Sequence, residues 1–222
     1  GSTGMWRMKY DMTGAAVVTG TIKALAGRRA PVNAVAVAAL AENMPSGTAT
    51  RPGDVVRSAS GKTIEIMSTD AEGRMVLVDG LWYVQDRHDP AVVVDIATLT
   101  GAVVGALGGD YAGLFSRDDA LADQLLAAGE RSGDLLWRLP LHPTYGQGLS
   151  SPIADIRNGG GRPGAGAAAH FLGEWIDKDR PWAHLDIAGM AWIETGGRPT
   201  SPAGATAFGV RLFERWVRDN HE

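Results

Sequence analysis

The chain has 222 residues, 45% hydrophobic and 21% charged, with a formal net charge of -4. That is enough for one substantial core, and it provides no basic field for a phosphate backbone, so no nucleic-acid partner is expected. Without cysteine there are no disulfides or thiolate metal sites, and any metal must use oxygen or nitrogen donors. No apolar run approaches the roughly 18 residues of a membrane span, so no membrane association is expected and a cytoplasmic location is the simplest reading.

In chain order, residues 14–25 are Ala-rich and read as a helix with Gly27 as its stop signal. Residues 32–40, opened by Pro31 and apolar almost throughout, read as a strand buried on both faces. A long Pro-, Gly- and Ser-rich loop is expected over residues 42–54. Residues 63–67 alternate as a strand does, and from Arg74 the apolar residues Val76, Leu77, Leu81, Trp82 and Val84 recur at helical spacing. A strand over residues 92–96 and a Thr98–Gly101 turn lead into a small-residue helix. Further helices are predicted over residues 118–129 and 165–176, with Phe208, Leu212, Phe213, Trp216 and Val217 marking a closing one. Residues 137–156 and 188–202 read as long connections, and residues 184–187 as a short strand. Strand and helix alternate, which predicts an α/β fold: a mostly parallel, mixed sheet with helices on both faces, in a single domain over residues 1–222.

Chemistry concentrates where the strand at 63–67 gives way to the next helix. Asp70, Glu72 and Arg74 are packed into one short turn, at the strand end where open α/β sheets collect ligands. Acids at a helix start commonly serve as caps. The alternative is that Asp70 and Glu72 ligate hard divalent cations through oxygen, with Arg74 holding an anion nearby. Asp11, before the first helix, reads in isolation as a cap. Asp95 and Asp186 interrupt apolar strands and are expected to be structural hydrogen-bonding groups, since buried carboxylates need partners.

Weaker patterns stand beside these. Ser60-Gly61-Lys62-Thr63 fails as a phosphate loop because a strand follows the lysine. Gly159-x-Gly161-x-x-Gly164, with Asp186 further on, matches a dinucleotide fingerprint formally, but Pro163 interrupts it. His170 and Glu174 stand one helical turn apart and could share a metal or simply pair. There is no HExxH helix and no G-x-S-x-G elbow.

Taken together, Ser68-Thr-Asp-Ala-Glu-Gly-Arg74 resembles the signature of the leucyl (cytosol) aminopeptidase family of two-metal peptidases, with Ser68 where that family usually has Asn. The stretches from Met8 to Ala16, Asp95 to Gly101 and Trp182 to Gly189 are similar to family segments in the same order, so the resemblance spans essentially the whole chain. It implies that Asp70 and Glu72 ligate metal, Glu72 bridging two divalent ions (manganese or zinc, or magnesium), and that Asp11 ligates the second ion. It also implies a bicarbonate at Arg74 that helps deprotonate the attacking water, and a substrate pocket lined by Met8, Thr98, Leu99 and Gly101. Peptide substrates and a homo-hexamer come with it.

The same resemblance exposes a departure. Family members carry, upstream of the Met5 position, a Gly-Lys-Gly strand end, a Phe-Asp-x-Gly-Gly turn and a Ser-x-Lys step that supply a ligating lysine, a bridging aspartate and a catalytic lysine. None of these stands in this chain, Lys9 falls at a non-ligating place in its motif, and the N-terminal accessory domain is absent. The expectation is a partial catalytic domain that binds metal weakly and turns over poorly. A non-catalytic remnant kept for assembly or binding, or a dinucleotide-binding protein, are the competing expectations.

Overall fold

The computed structural model describes residues 4–222. The helix expected first is α1, Thr13–Gly27, preceded by a 3-10 turn over Met5–Met12. β1 (Val55–Arg57) and β2 (Thr63–Glu65) form an antiparallel hairpin, and β6 (Ile156–Arg157) joins β2 in parallel. The main sheet has the order β3 (Val93–Ala97), β7 (Trp182–Asp186), β4 (Ala112–Ser116), β5 (Leu136–Arg138). β3 runs parallel to β7 and β4 parallel to β5, while β4 and β7 are antiparallel. The expected mixed α/β sheet is therefore present.

Alternation within strands splits the core between two faces. On one face, Ile96, Leu114 and Leu185 pack with Val17 and Leu25 of α1, with Leu121 and Leu125 of α4 (Asp119–Ser132), and with Leu212 and Trp216 of α6 (Val210–Asn220). On the other, Val93 and Trp182 meet Val78 and Leu81 of α2 (Glu72–His88) and Phe171 and Leu172 of α5 (Gly164–Gly173). Phe115 on that second face meets Val103 of α3 (Gly101–Leu107) and Ala169 of α5. At about 25 cal/mol per Å2 of apolar surface buried, each of these large side chains contributes roughly 1.5–3 kcal/mol. α1 lies so close to β3 that a Cβ on Gly14 would stand 2.0 Å from the Ile96 carbonyl oxygen.

Three expectations are corrected here. Residues 32–40 belong to no strand or helix, and they are half-buried or exposed, with Val35 at 48% and Leu40 at 61%. A strand exists only with a partner to take its N–H and C=O groups, and these residues lie across a cleft from the outer edge of β3, which no strand pairs among the described residues. The connection over residues 188–202 holds most of a hairpin, β8 (Trp192–Arg198) with β9 (Ser201–Ala205). The connection over residues 137–156 contains the end of β5 and a 3-10 turn at Pro143–Leu149.

Candidate metal and peptide site

Two pairs of parallel strands set the site. β2 and β6 run side by side, so the residues that follow them meet at their carboxyl ends. Asn158, after β6, is 1% exposed and grips the backbone after β2. Its Oδ1 accepts from the Met67 and Ser68 N–H groups at 2.8 and 3.1 Å, and its Nδ2 donates to the Ser68 carbonyl at 2.8 Å. From that anchored bend a single 3-10 turn, Thr69–Ala71, leads into α2. Asp70 stands in the turn and Glu72 in the first turn of the helix, where the macrodipole favours negative charge.

β3 and β7 are the second pair, with Ala97 opposite Asp186. The Thr98–Gly101 turn follows β3. The Thr98 hydroxyl lies 2.7 Å from Asp11 Oδ1 and 2.9 Å from the Asp11 carbonyl, tying the start of the chain to the turn. The result is a cleft of about 830 Å3. Asp11, Asp70, Glu72 and Arg74 all line it, as do Met8, Thr98, Leu99 and Gly101. Every residue that the family resemblance implied for the site thus lines one cavity.

The electrostatics are those of crowded acids. Burial pushes the Glu72 pKa up, and the carboxylates of Asp11 and Asp70 push it the same way, against its own backbone N–H and Arg74. A carboxylate crowded by like charges is relieved by a cation, and an all-oxygen donor set suits a hard divalent one. Among the described residues, however, no group of three or more acidic or histidine side chains stands placed to hold a metal ion.

Arg74 is held rather than free. Its Nη1 donates to the Asn158 carbonyl at 2.7 Å and its guanidinium sits 5.8 Å from the Phe171 ring centre. Burial pulls its pKa down, opposed by Asp186 and Glu72. Its Nε is buried with no hydrogen-bond partner in the protein.

The chain matches the cytosol aminopeptidase family, catalytic domain, over residues 1–214. It belongs to that family. Among curated relatives, the probable cytosol aminopeptidase of Caulobacter vibrioides is 56% identical over 220 residues, covering 99% of this chain and 44% of the relative. The cytosol aminopeptidase of Rickettsia prowazekii is 52% identical over 221 residues, covering 98% and 44%. Among solved structures, the bottromycin maturation enzyme BotP in complex with Mn has a TM-score of 0.87 at 42% identity, covering 96% of this chain and 47% of BotP. A tomato leucine aminopeptidase mutant has a TM-score of 0.86 at 40% identity, covering 97% and 42%. The chain therefore spans less than half the length of these cytosol aminopeptidase relatives.

Other sequence candidates lie elsewhere. His170 and Glu174 pair at 3.4 Å beside a separate cavity of about 220 Å3. The glycines of the 159–164 loop serve close packing: a Cβ on Gly159 would stand 3.3 Å from Ser68 Cβ, and one on Gly161 would stand 2.6 Å from Ala167 Cβ. Asn158 was not singled out in the sequence. The only hint was its place at the head of a glycine run, which says nothing of the bend it clasps.

Proposed function

We propose that this chain is a partial catalytic domain of a metal-dependent aminopeptidase that releases N-terminal, leucine-like residues from peptides. The observation that carries this reading is the shared cleft. Three carboxylates, from the chain start and from one bend, face it together with Arg74 and the Thr98–Gly101 turn. Asp11, Asp70 and Glu72 would hold two divalent ions; manganese is the first choice because BotP is described in complex with Mn, with zinc and magnesium as alternatives. Such ions, when bound, polarise a scissile carbonyl and lower the pKa of a water.

The chain's own residues do the rest. Glu72 offers a carboxylate whose pKa is raised by burial and by Asp11 and Asp70, so a counter-charge beside it is favourable. Thr98 holds the Asp11 carboxylate toward the cleft. Arg74, fixed at Nη1, presents a cationic donor for a bicarbonate or a substrate carboxylate. Met8, Thr98, Leu99 and Gly101 form the wall against which the N-terminal residue of a peptide would lie. A hexameric assembly and a cytoplasmic location belong to the same proposal. No helix among the described residues is long and apolar enough to cross a membrane.

That no three acidic or histidine side chains among the described residues stand placed to hold an ion favours a second reading, in which the fold serves binding or assembly without catalysis. Titration calorimetry with Mn2+ or Zn2+, beside a leucine-anilide assay, separates these outcomes. Weak binding with slow, metal-dependent release of the anilide supports the enzyme. Metal binding without release supports the second reading, and no binding of either ion overturns the metal assignment. Tight binding of two ions with full turnover overturns the expected impairment.

A further inference from the structure

Three titratable side chains on one face of the sheet have no part in the reading above: Asp95 on β3, and His184 and Asp186 on β7. Register sets Asp95 opposite His184, and residues two apart on a strand share a face. Asp95 Oδ1 lies 2.6 Å from His184 Nδ1, and its Oδ2 accepts from Trp182 Nε1 at 2.8 Å. The imidazole is fully buried beneath the Phe115 ring, at a centroid distance of 6.1 Å. Its Nε2 has no hydrogen-bond partner in the protein. Apart from Asp95, the charges that act on this ring are Asp186 and Arg74.

Asp186 is 1% exposed, and its carboxylate is a hub for the turns that follow β3 and β7. It accepts from the Leu99 N–H at 3.1 Å, the Thr100 hydroxyl at 2.6 Å, the Thr100 N–H at 3.4 Å and the Ala188 N–H at 3.3 Å. Thr98, next along the same turn, holds Asp11. We propose that Asp186, supported by the Asp95–His184 pair behind it, is a positioning residue that sets the Thr98–Gly101 turn and, through Thr98, aims the Asp11 carboxylate into the cleft.

The chemistry favours a carboxylate in this role. Four donors converge on two acceptor oxygens, and each buried N–H left without an acceptor is costly. An amide at this position would turn a donor toward groups that are themselves donors. The imidazole bonds Asp95 through Nδ1 and its charge also acts on Asp186, so one ring serves both buried acids. The sequence suggested only that both acids need partners, which a purely structural role would satisfy equally. What distinguishes positioning is that the partners belong to the site's own turn.

This inference rests on the metal site proposed above, so its test carries one readout that does not. The parent chain, Asp186→Asn and the milder Thr100→Val are compared by amide NMR, thermal melting and Mn2+ titration. With folded protein, the Leu99 and Thr100 amide protons should move upfield in Asp186→Asn as the charged acceptor is lost, and Mn2+ affinity should fall about 10-fold or more, the usual effect of losing a residue that orients a ligand. Thr100→Val should shift the same resonances less and in the same direction, and it decides the matter if Asp186→Asn does not fold. Unchanged Leu99 and Thr100 amides in the folded variants overturn the proposal, as does undiminished Mn2+ affinity when only the melting temperature falls. If the parent binds no Mn2+, the site reading fails, and the amide shifts alone decide whether Asp186 sets the turn.

Discussion

The Thr98 hydroxyl lies 2.7 Å from the Asp11 carboxylate across 87 positions of sequence. This contact closes one wall of the cleft, because it joins the 3-10 turn that opens the chain to the turn that follows β3. Thr98→Val removes the hydroxyl and keeps the shape. It should leave the melting temperature within a few degrees, since the pair is solvent-accessible, while lowering Mn2+ affinity about 10-fold. Calorimetry on the folded variant checks this, and unchanged affinity would show that Asp11 needs no such partner.

Asn158 should matter chiefly for stability. Its amide makes three hydrogen bonds to the Met67–Ser68 backbone while almost wholly buried. Asn158→Ala leaves those groups without their partner and should cost about 2–4 kcal/mol, at roughly 1–3 kcal/mol for an unsatisfied buried group. Urea denaturation measures it. A loss below about 1 kcal/mol, the ordinary surface range, would mean the bend holds its shape without the clasp.

Close packing of α1 on β3 predicts a contrast between two glycines. A Cβ on Gly14 meets the Ile96 carbonyl at 2.0 Å, whereas one on Gly27 meets nothing within 4 Å. Gly14→Ala should destabilise by about 1–3 kcal/mol, as overpacking does. Gly27→Ala should stay within about 0.5 kcal/mol. Equal effects in denaturant melts would contradict the helix-to-strand approach.

His184 predicts the sign of a pH effect. Burial works against its charge, but Asp95, by charge and hydrogen bond, and Asp186 outweigh burial and Arg74, so its pKa is raised above the ordinary 6.5. A raised folded value means the stabilisation is complete below about pH 6.5 and is lost as pH rises through the folded value. Asp186, raised by burial despite its donors, has the same sign, but its loss begins above its ordinary 3.8 rather than in the histidine range. Urea midpoints of the parent should therefore fall between pH 6 and 9 relative to those of His184→Gln. Parallel pH profiles would show that His184 carries no charge in the fold.

The acidic bend was legible because its information is local: alternation gives β2, helical spacing gives α2, and the charges fall between them. Other features were hidden because their causes are tertiary. Residues 32–40 have the composition of a buried strand, yet composition cannot supply the neighbour a strand needs. The β8–β9 hairpin runs through Thr195, Gly196, Gly197 and Pro202, residues that argue for a loop, and pairing overrides them. β4, Ala112 to Ser116, is fully buried but too short and small-residued to stand out from the helix before it. Asp186 looked like a lone acid in an apolar strand, and only its four donors, three of them from the turn after β3, show what it holds.

Asp11, Asp70 and Glu72 are proposed to share a divalent cation. Crystals of the chain soaked in Mn2+ and measured at the manganese absorption edge test it directly. The prediction is an anomalous peak within about 2.0–2.6 Å of carboxylate oxygens from Glu72 and from Asp11 or Asp70. A peak confined to His170 and Glu174, or none in crystals where Glu72 remains exposed to solvent, would contradict it.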